Sequence, residues 1–138
     1  MRLKVKQIMN KQIIAALPSD TVEEVSRLMR DYNIGCVPVV SAGKLKGILT
    51  DRDIVLKCVV KNKNPKKLKV SEIMSQNTTF ITPEKDVNDA IKLMAAFKII
   101  RLPVLDNGIL DGILSLSDIL KYYNGLEILT ILHSVNLD

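Results

Sequence analysis

Two short stretches of this chain combine residue types that can hold an anionic, sugar-bearing ligand. Residues 47–54 read Gly-Ile-Leu-Thr-Asp-Arg-Asp-Ile, and residues 112–119 read Gly-Ile-Leu-Ser-Leu-Ser-Asp-Ile. Each is typical of an apolar strand that runs directly into a helix, with a hydroxyl at the junction and a carboxylate three residues later. The free N–H groups of a helix N-terminus attract phosphate, and a nearby carboxylate can accept both hydrogen bonds of a ribose diol. The pattern therefore predicts a site for an adenosine-type ligand.

The same residues also have a purely structural explanation. A hydroxyl followed three residues later by an acid, ahead of an apolar run, is the pattern of a capping box. Both Thr50 with Asp53 and Ser115 with Asp118 fit this pattern. On one copy alone the capping explanation is at least as good as the ligand site. Asp is a shorter reciprocal cap than Glu or Gln and the pattern occurs twice, which favours the ligand, but both interpretations stay open here.

The overall composition is that of a folded protein. The chain has 138 residues, of which 47% are hydrophobic and 25% charged, so it forms one ordinary domain or two half-size units that share a core. Its first six residues include three basic ones and are not followed by the apolar stretch of a signal peptide. No run approaches the roughly 18 apolar residues of a membrane span. We therefore expect a soluble, cytoplasmic protein.

The sequence offers few groups for catalysis or metal binding. His133 is the sole histidine, and Cys36 and Cys58, the only cysteines, have no C-x-x-C spacing. We therefore expect reduced thiols, no disulfide, no metal site and no catalytic triad. Asp51 and Asp53 would suit Mg²⁺, but the second stretch has a leucine in place of Asp51, so a solvated first-turn aspartate is the better explanation. We predict a protein that is not an enzyme and carries no cofactor.

The net charge of +5 is concentrated in one window of the chain. Six basic residues lie there: Lys57, Lys61, Lys63, Lys66, Lys67 and Lys69. A basic patch can bind nucleic acid through phosphate contacts, but single-strand binders add aromatic stacking platforms, and the Phe and Tyr residues here are few and scattered. Asn and Pro within the window mark a loop. A solvated linker is the favoured interpretation, and nucleic-acid binding is the alternative.

The chain contains an internal repeat without gaps. Residues 4–57 align with residues 69–122 at a constant offset of 65, with 18 identical positions. The repeat predicts two units of one α+β fold, each β-α-β-β-α, related by pseudo-twofold symmetry. The predicted elements are strands at residues 12–17, 36–40, 45–49, 78–81, 101–105 and 110–114, and helices at residues 21–33, 51–60, 86–97 and 116–123.

The predicted helix at residues 51–60 is apolar nearly all the way round from Ile54 to Val60. Such a helix must be covered on more than one side, and a unit of about 60 residues is marginal alone. We therefore expect the units to pack together and the chain to form a homodimer that covers what remains. The apolar stretch at residues 126–132 fits docking within the chain and docking on a partner equally well.

At this level of detail the chain resembles a known family. Pro38-Val39, a turn and residues 47–54, doubled across the chain at constant spacing, resemble a tandem pair of cystathionine-β-synthase (CBS) domains, called a Bateman module. The resemblance spans residues 5–123. We expect a first CBS domain at residues 5–63, a second at residues 70–128 and a C-terminal tail at residues 129–138.

The resemblance implies two clefts between the repeats, each able to hold AMP, ADP, ATP, S-adenosylmethionine or NAD. In the family, the Thr/Ser-x-x-Asp element grips the ribose, and residues just before the Pro-Val strand line the base and phosphates. The residues carried over to one cleft are Thr50, Arg52, Asp53, Thr79, Ile99 and Ile100. Those carried over to the other cleft are Ile14, Ile34, Gly35, Arg101, Ser115, Ser117 and Asp118.

Two arginines bear on which ligand is bound. Arg52 and Arg101 give each implied cleft one cation, and a planar guanidinium suits a phosphate. This favours AMP, ADP or ATP over S-adenosylmethionine, with ordinary surface arginines as the alternative. The sequence thus predicts a non-catalytic sensor of adenine nucleotides that acts on an unidentified downstream protein and not on a membrane.

Overall fold

A computed structural model describes residues 2–133 of the chain, which fall into two compact units. The first unit is residues 14–78, and the second unit joins residues 2–13 to residues 79–133. These units follow contacts in space, whereas the domains predicted at residues 5–63 and 70–128 follow the repeat in sequence. The predicted domain boundaries therefore stay a prediction.

The first unit is built from one long helix, one hairpin and a helix that follows the hairpin directly. Its elements are α2 (Val22–Tyr32), β1 (Cys36–Ser41), β2 (Lys44–Thr50), α3 (Asp51–Ile54), a π-helical turn (Val55–Val59) and a 3-10 turn (Val70–Glu72). The elements of the second unit are α1 (Val5–Ile8), α4 (Val87–Phe97), β3 (Arg101–Asp106), β4 (Ile109–Ser115), α5 (Leu116–Ile119) and α6 (Gly125–Leu132). The helix, hairpin and helix thus occur in the same order in both units, as the repeat predicts.

The two long helices begin and end in the same way. The side chain of Thr21 accepts a hydrogen bond from a backbone N–H of the first turn of α2, and Asp86 does the same for α4. Such caps satisfy N–H groups that have no partner within the helix. Both helices end at a residue in the left-handed conformation, Asn33 with φ of 52° and Lys98 with φ of 55°.

Each hairpin is antiparallel, with one bulge at an equivalent place. Its turn has two residues with positive φ, Ala42-Gly43 in the first unit and Asn107-Gly108 in the second, as a type I′ turn requires. Alternate strand residues enter the core of their own unit. The fully buried strand residues are Val37, Val39 and Leu49 in the first unit and Leu102, Val104 and Leu114 in the second.

A connecting segment crosses each hairpin at a glycine. In the first unit Ile48 and Ser75 exchange two backbone hydrogen bonds of 2.9 Å, and a Cβ added at Gly47 would lie 2.8 Å from the Met74 sulfur. In the second unit Met9-Asn10 crosses Gly112 in the same manner, with a Cβ-to-sulfur distance of 2.8 Å. Only glycine admits so close an approach. This contact explains why both glycines recur in the repeat.

Some predicted elements are shorter or different in the structure. The strands predicted at residues 12–17 and 78–81 are reduced to single parallel bridges, Ala16 to Val39 and Ile81 to Val104. Each bridge is soon followed by a proline, Pro18 or Pro83, which has no N–H to extend a ladder.

The helix predicted at residues 51–60 is also different in part. It is α-helical only over Asp51–Ile54 and continues as the π-helical turn Val55–Val59, because the N–H of Val60 bonds the carbonyl of Val55. The helix predicted at residues 116–123 ends at Ile119 and gives way to turns.

The end of the described chain docks within the second unit. Helix α6 places Ile128, Ile131 and Leu132 against the core of that unit. The sequence fitted docking within the chain and docking on a partner equally well, and this side of the helix docks within the chain. Of the tail predicted at residues 129–138, the part from 134 onward lies outside the described residues. Within residues 2–133 there is no helix with both the length and the apolar character needed to span a bilayer.

We predict that Gly47→Ala and Gly112→Ala each lower the free energy of unfolding by about 1–3 kcal/mol, the usual cost of overpacking. A Cβ at either position would meet a methionine sulfur and a backbone carbonyl. Gly125→Ala is the matched control, because nothing lies within 4 Å of its added Cβ and alanine favours a helix. Urea unfolding checks this, and equal stability of all three variants would contradict it.

The pKa of Glu84 gives a second prediction. Hydrogen bonds from Lys4 (2.8 Å) and Lys6 (2.7 Å) to this exposed carboxylate lower its pKa from 4.5 to about 2. A depressed folded-state pKa stabilises the fold above pH 4.5, and that contribution is lost as the pH falls towards 2. NMR titration should find the low pKa. Lys4→Gln with Lys6→Gln should raise it towards its ordinary value, whereas Lys11→Gln should leave it low.

Candidate functional site

The first candidate corner is the junction between β2 and α3. The Thr50 hydroxyl accepts a hydrogen bond of 3.1 Å from the N–H of Asp53, and the Asp53 Oδ2 accepts one of 3.0 Å from the N–H of Thr50. This is a complete capping box, so the structural explanation of the pattern is confirmed at this corner. The cap fixes the Asp53 side chain against the backbone and leaves its Oδ1 for another partner.

The second candidate corner, between β4 and α5, repeats this geometry. The Ser115 hydroxyl accepts a hydrogen bond of 3.1 Å from the N–H of Asp118, and the Asp118 Oδ2 accepts one of 3.0 Å from the N–H of Ser115. The Ser117 hydroxyl lies 2.8 Å from the Ser115 hydroxyl. Capping is therefore confirmed at both corners. It does not exclude ligand binding, because it uses only one oxygen of each carboxylate.

A lysine lies beside the second oxygen of each carboxylate, and here the corners differ. Lys57 Nζ is 3.2 Å from Asp53 Oδ1 and also donates to the carbonyl of Ile73 at 3.0 Å. Lys121 Nζ is 3.8 Å from Asp118 Oδ1, and its side chain is 71% exposed. An exposed ion pair of that length contributes little. The Asp118 oxygen is therefore the more available acceptor.

The residues before the Pro-Val strand lie at the corner of their own unit. The carbonyl of Gly35 accepts the N–H of Asp51 at 2.9 Å, and the carbonyl of Ile100 accepts the N–H of Leu116 at 2.8 Å. A Cβ at Gly35 would come within 2.7 Å of a carboxylate oxygen of Asp51. The first unit contains six of the thirteen predicted residues and the second unit contains seven. Their combination into clefts that draw on both units stays a prediction.

The predicted contact residues are at least partly accessible. Ile14, Ile34, Thr79 and Ile99 are half-buried, and Ile100 and Ser117 are exposed. Accessible apolar side chains of this kind can cover the face of a purine base.

Both predicted phosphate cations are accessible. Arg52 is exposed and, with Asp51, Val55 and Leu56, lines a shallow depression of about 300 Å³. Arg101 is half-buried and pairs with Ser115 across the second hairpin. Neither guanidinium makes an ion pair within residues 2–133. Both are therefore free to contact an anion.

Sequence reasoning missed the two lysines beside the carboxylates. Lys57 was assigned only to the basic window and Lys121 to no feature. The spacing that could have found them is a carboxylate three or four residues before a lysine on one helix face. Asp51 was expected to be a solvated first-turn residue, and it is exposed, with its Oδ1 accepting the N–H of Arg52. The part of the chain that the structure describes holds no cluster of three or more His, Cys, Asp or Glu side chains placed to bind a metal.

Comparison with known proteins decides the family. A family model described as "CBS domain" matches residues 5–59 and residues 70–125. The chain belongs to the CBS domain family. Its two matched segments are a tandem CBS pair, and the family resemblance found in the sequence is thereby confirmed.

Individual CBS proteins agree with this assignment. YhcV of Bacillus subtilis, a CBS domain-containing protein, is 40% identical over 115 residues, which are 83% of this chain and 81% of YhcV. The crystal structure of the CBS domain protein NE2398 has a TM-score of 0.79 at 31% identity and covers 88% of this chain and 97% of its own. The CBS domain pair of MJ0100, crystallised with 5′-methylthioadenosine and S-adenosyl-L-methionine, has a TM-score of 0.78 at 29% identity, with coverage of 91% and 99%.

The capping role of the two corner carboxylates gives a third prediction. Asp118→Ala removes the acceptor for the Ser115 N–H and should lower the free energy of unfolding by about 0.5–1.5 kcal/mol. Asp118→Asn keeps an amide oxygen for that N–H and should cost clearly less. At the first corner, Asp53→Ala should likewise cost more stability than Asp53→Asn. Urea unfolding of the four variants measures this, and an Ala variant as stable as its Asn counterpart would contradict the capping role.

Proposed function

We propose that this CBS pair is a non-catalytic regulatory module that binds an adenine nucleotide, AMP, ADP or ATP, at its two capped corners. One observation carries the proposal: each corner fixes a carboxylate whose second oxygen is not used by the cap, beside a helix start and within a unit that also offers an unpaired arginine. A carboxylate oxygen can accept from a ribose hydroxyl, and the arginine can bind phosphate as a planar fork.

The related CBS pair of MJ0100 supports an adenosine-type ligand, since it was crystallised with two thioether or sulfonium derivatives of adenosine. It also defines the main alternative, S-adenosylmethionine, with NAD as a further candidate. The two arginines favour a phosphate-bearing ligand here, because S-adenosylmethionine has no phosphate for a guanidinium to contact. The ratio of the affinities for AMP and adenosine therefore tests for a phosphate-bearing ligand, which the affinity for adenosine alone does not.

Regulation requires that the ligand distinguish two states of the protein. A ligand shifts such an equilibrium only by its differential affinity for the two arrangements. A homodimer is one assembly whose packing a ligand can shift. Its support is the exposed apolar surface after α3, where Val55, Leu56, Val59 and Val60 are 44–63% exposed. The reduced cysteines favour a cytoplasmic location for this assembly.

A thermal-shift panel of adenosine, AMP, ADP, ATP, S-adenosylmethionine and NAD tests the proposal. A ligand at about 100 times its Kd adds about 2.7 kcal/mol of stability, a shift of several degrees for this chain length. We predict shifts for the nucleotides. Asp53→Asn and Asp118→Asn keep the cap, and each should weaken binding at its own corner by about tenfold. Because Lys57 holds Asp53, Asp118→Asn should weaken the first, tighter binding event more.

The arginine variants identify the ligand class. Arg52→Gln and Arg101→Gln should reduce the preference for AMP over adenosine and leave adenosine binding nearly unchanged. Arg27→Gln, at an exposed arginine of α2, is the matched control. If the variant that carries both Asp→Asn changes responds to nucleotides as the unmodified chain does, the proposed site is wrong. If S-adenosylmethionine gives the largest shift, the nucleotide assignment is wrong.

A further inference from the structure

The basic window of this CBS pair is an uncompensated cationic surface. Residues 54–71 contain six lysines and no Asp or Glu. We define the lysine loop as residues 61–69, whose five lysines are all exposed: Lys61, Lys63, Lys66, Lys67 and Lys69. These five equal the entire excess of positive charge in the chain, which is +5. The basic character of the protein is thus a local property of this loop.

Internal hydrogen bonds fix the backbone of the lysine loop. Cys58 and Lys63 bond each other twice, through the N–H of Lys63 to the carbonyl of Cys58 at 2.9 Å and through the buried Cys58 thiol to the carbonyl of Lys63 at 3.5 Å. The Asn64 carbonyl accepts from the N–H groups of Lys67 and Leu68 at 3.0 and 2.9 Å. The loop is therefore a formed turn structure, and its exposed lysines agree with the solvated linker favoured by the sequence.

The loop also caps the long helix of its unit. The carbonyl of Leu68 accepts the N–H of Val22 at 2.8 Å, and the carbonyl of Pro65 accepts the N–H of Glu23 at 3.0 Å. These are two of the N–H groups that a helix start leaves without an internal partner. Because both ends of the loop and its middle are held, its lysines project from a preorganised backbone, which lowers the entropy cost of binding a partner.

The neighbouring carboxylates do not neutralise this surface. Glu23 pairs with Arg27 and Asp53 pairs with Lys57. Glu72, whose Oε2 accepts the backbone N–H of Lys69, leaves one negative charge at the end of the loop against five lysines. Among residues 2–133, no ion pair involves any of the five lysines of the loop. A fixed cluster of unpaired cations attracts and steers an anionic partner.

We propose that the lysine loop is the docking surface for an acidic peptide segment of the downstream protein. Residues 54–71 contain no arginine and no aromatic residue, so the loop lacks the guanidinium forks that match phosphate geometry and the rings on which single-strand binders stack bases. Flexible lysine ammonium groups instead pair singly with separate Asp and Glu side chains. This inference rests on the proposed regulatory role, which requires a downstream protein, and it specifies that the contacting segment of that protein is acidic. Its charge does not depend on nucleotide.

Fluorescence anisotropy with a labelled oligoglutamate peptide and a labelled DNA duplex tests this without nucleotide, so that failure here leaves the nucleotide site untouched. The loop variant replaces Lys61, Lys63, Lys66 and Lys67 by Gln. The matched control replaces Lys11, Lys44, Lys46 and Lys85 by Gln; these are exposed and make no ion pair within residues 2–133. Both variants change the net charge from +5 to 5 − 4 = +1.

We expect the peptide to bind the unmodified chain with an affinity that falls as salt rises. The loop variant should lose at least about tenfold in affinity and the control less than about threefold. Equal losses in both variants, no salt-dependent peptide binding, or tighter binding of the duplex than of the peptide would each overturn the proposal. If the loop variant unfolds, two double variants make the same comparison. The affinity of the peptide for Lys66→Gln with Lys67→Gln should then be about threefold lower than for Lys44→Gln with Lys46→Gln.

Discussion

The reciprocal hydrogen bond between a hydroxyl residue and the aspartate three residues later is the constraint on which this CBS pair depends. It turns a strand into a helix without a loop, at Thr50 in the first unit and at Ser115 in the second. A helix start left without such partners would expose N–H groups that water alone could satisfy. The same bond holds the carboxylate in one orientation. The cap that starts each helix therefore also orients the carboxylate that the proposed ligand site uses.

A second constraint acts on the hairpins that deliver these corners. Gly47 and Gly112 let a methionine-bearing segment cross the strand that ends at Thr50 or Ser115. In the second unit that segment comes from the N-terminus of the chain, far from the hairpin in sequence. The unit therefore closes only when both ends of the described chain have come together. Repeats that are adjacent in sequence are in this way completed by segments that lie outside their predicted boundaries.

The sequence predicted those features that local chemistry determines. The hairpins followed from alternation and from Asn-Gly and Ala-Gly turns, and the caps from the spacing of Ser115 and Asp118. The sequence did not predict the π-helical turn Val55–Val59 or the single bridges of Ala16 and Ile81. Those depend on hydrogen-bond register and on contacts between distant segments, which periodicity does not encode. The lysine beside each carboxylate was predictable from spacing, but the second bond of Lys57 to Ile73 was not.

The hydrogen bond from Lys57 to the carbonyl of Ile73 connects two separate segments of the first unit. Lys57 links the carboxylate of Asp53, at the start of α3, to the carbonyl of Ile73, beyond the lysine loop. Cys58, the next residue, is buried and anchors that loop through Lys63. Under the proposed function, a ligand hydroxyl that donated to Asp53 Oδ1 would compete with Lys57 for that oxygen. The second corner has no such link, because Lys121 forms only a long, exposed pair with Asp118. Two corners with nearly identical caps therefore differ in how the second oxygen of the carboxylate is held.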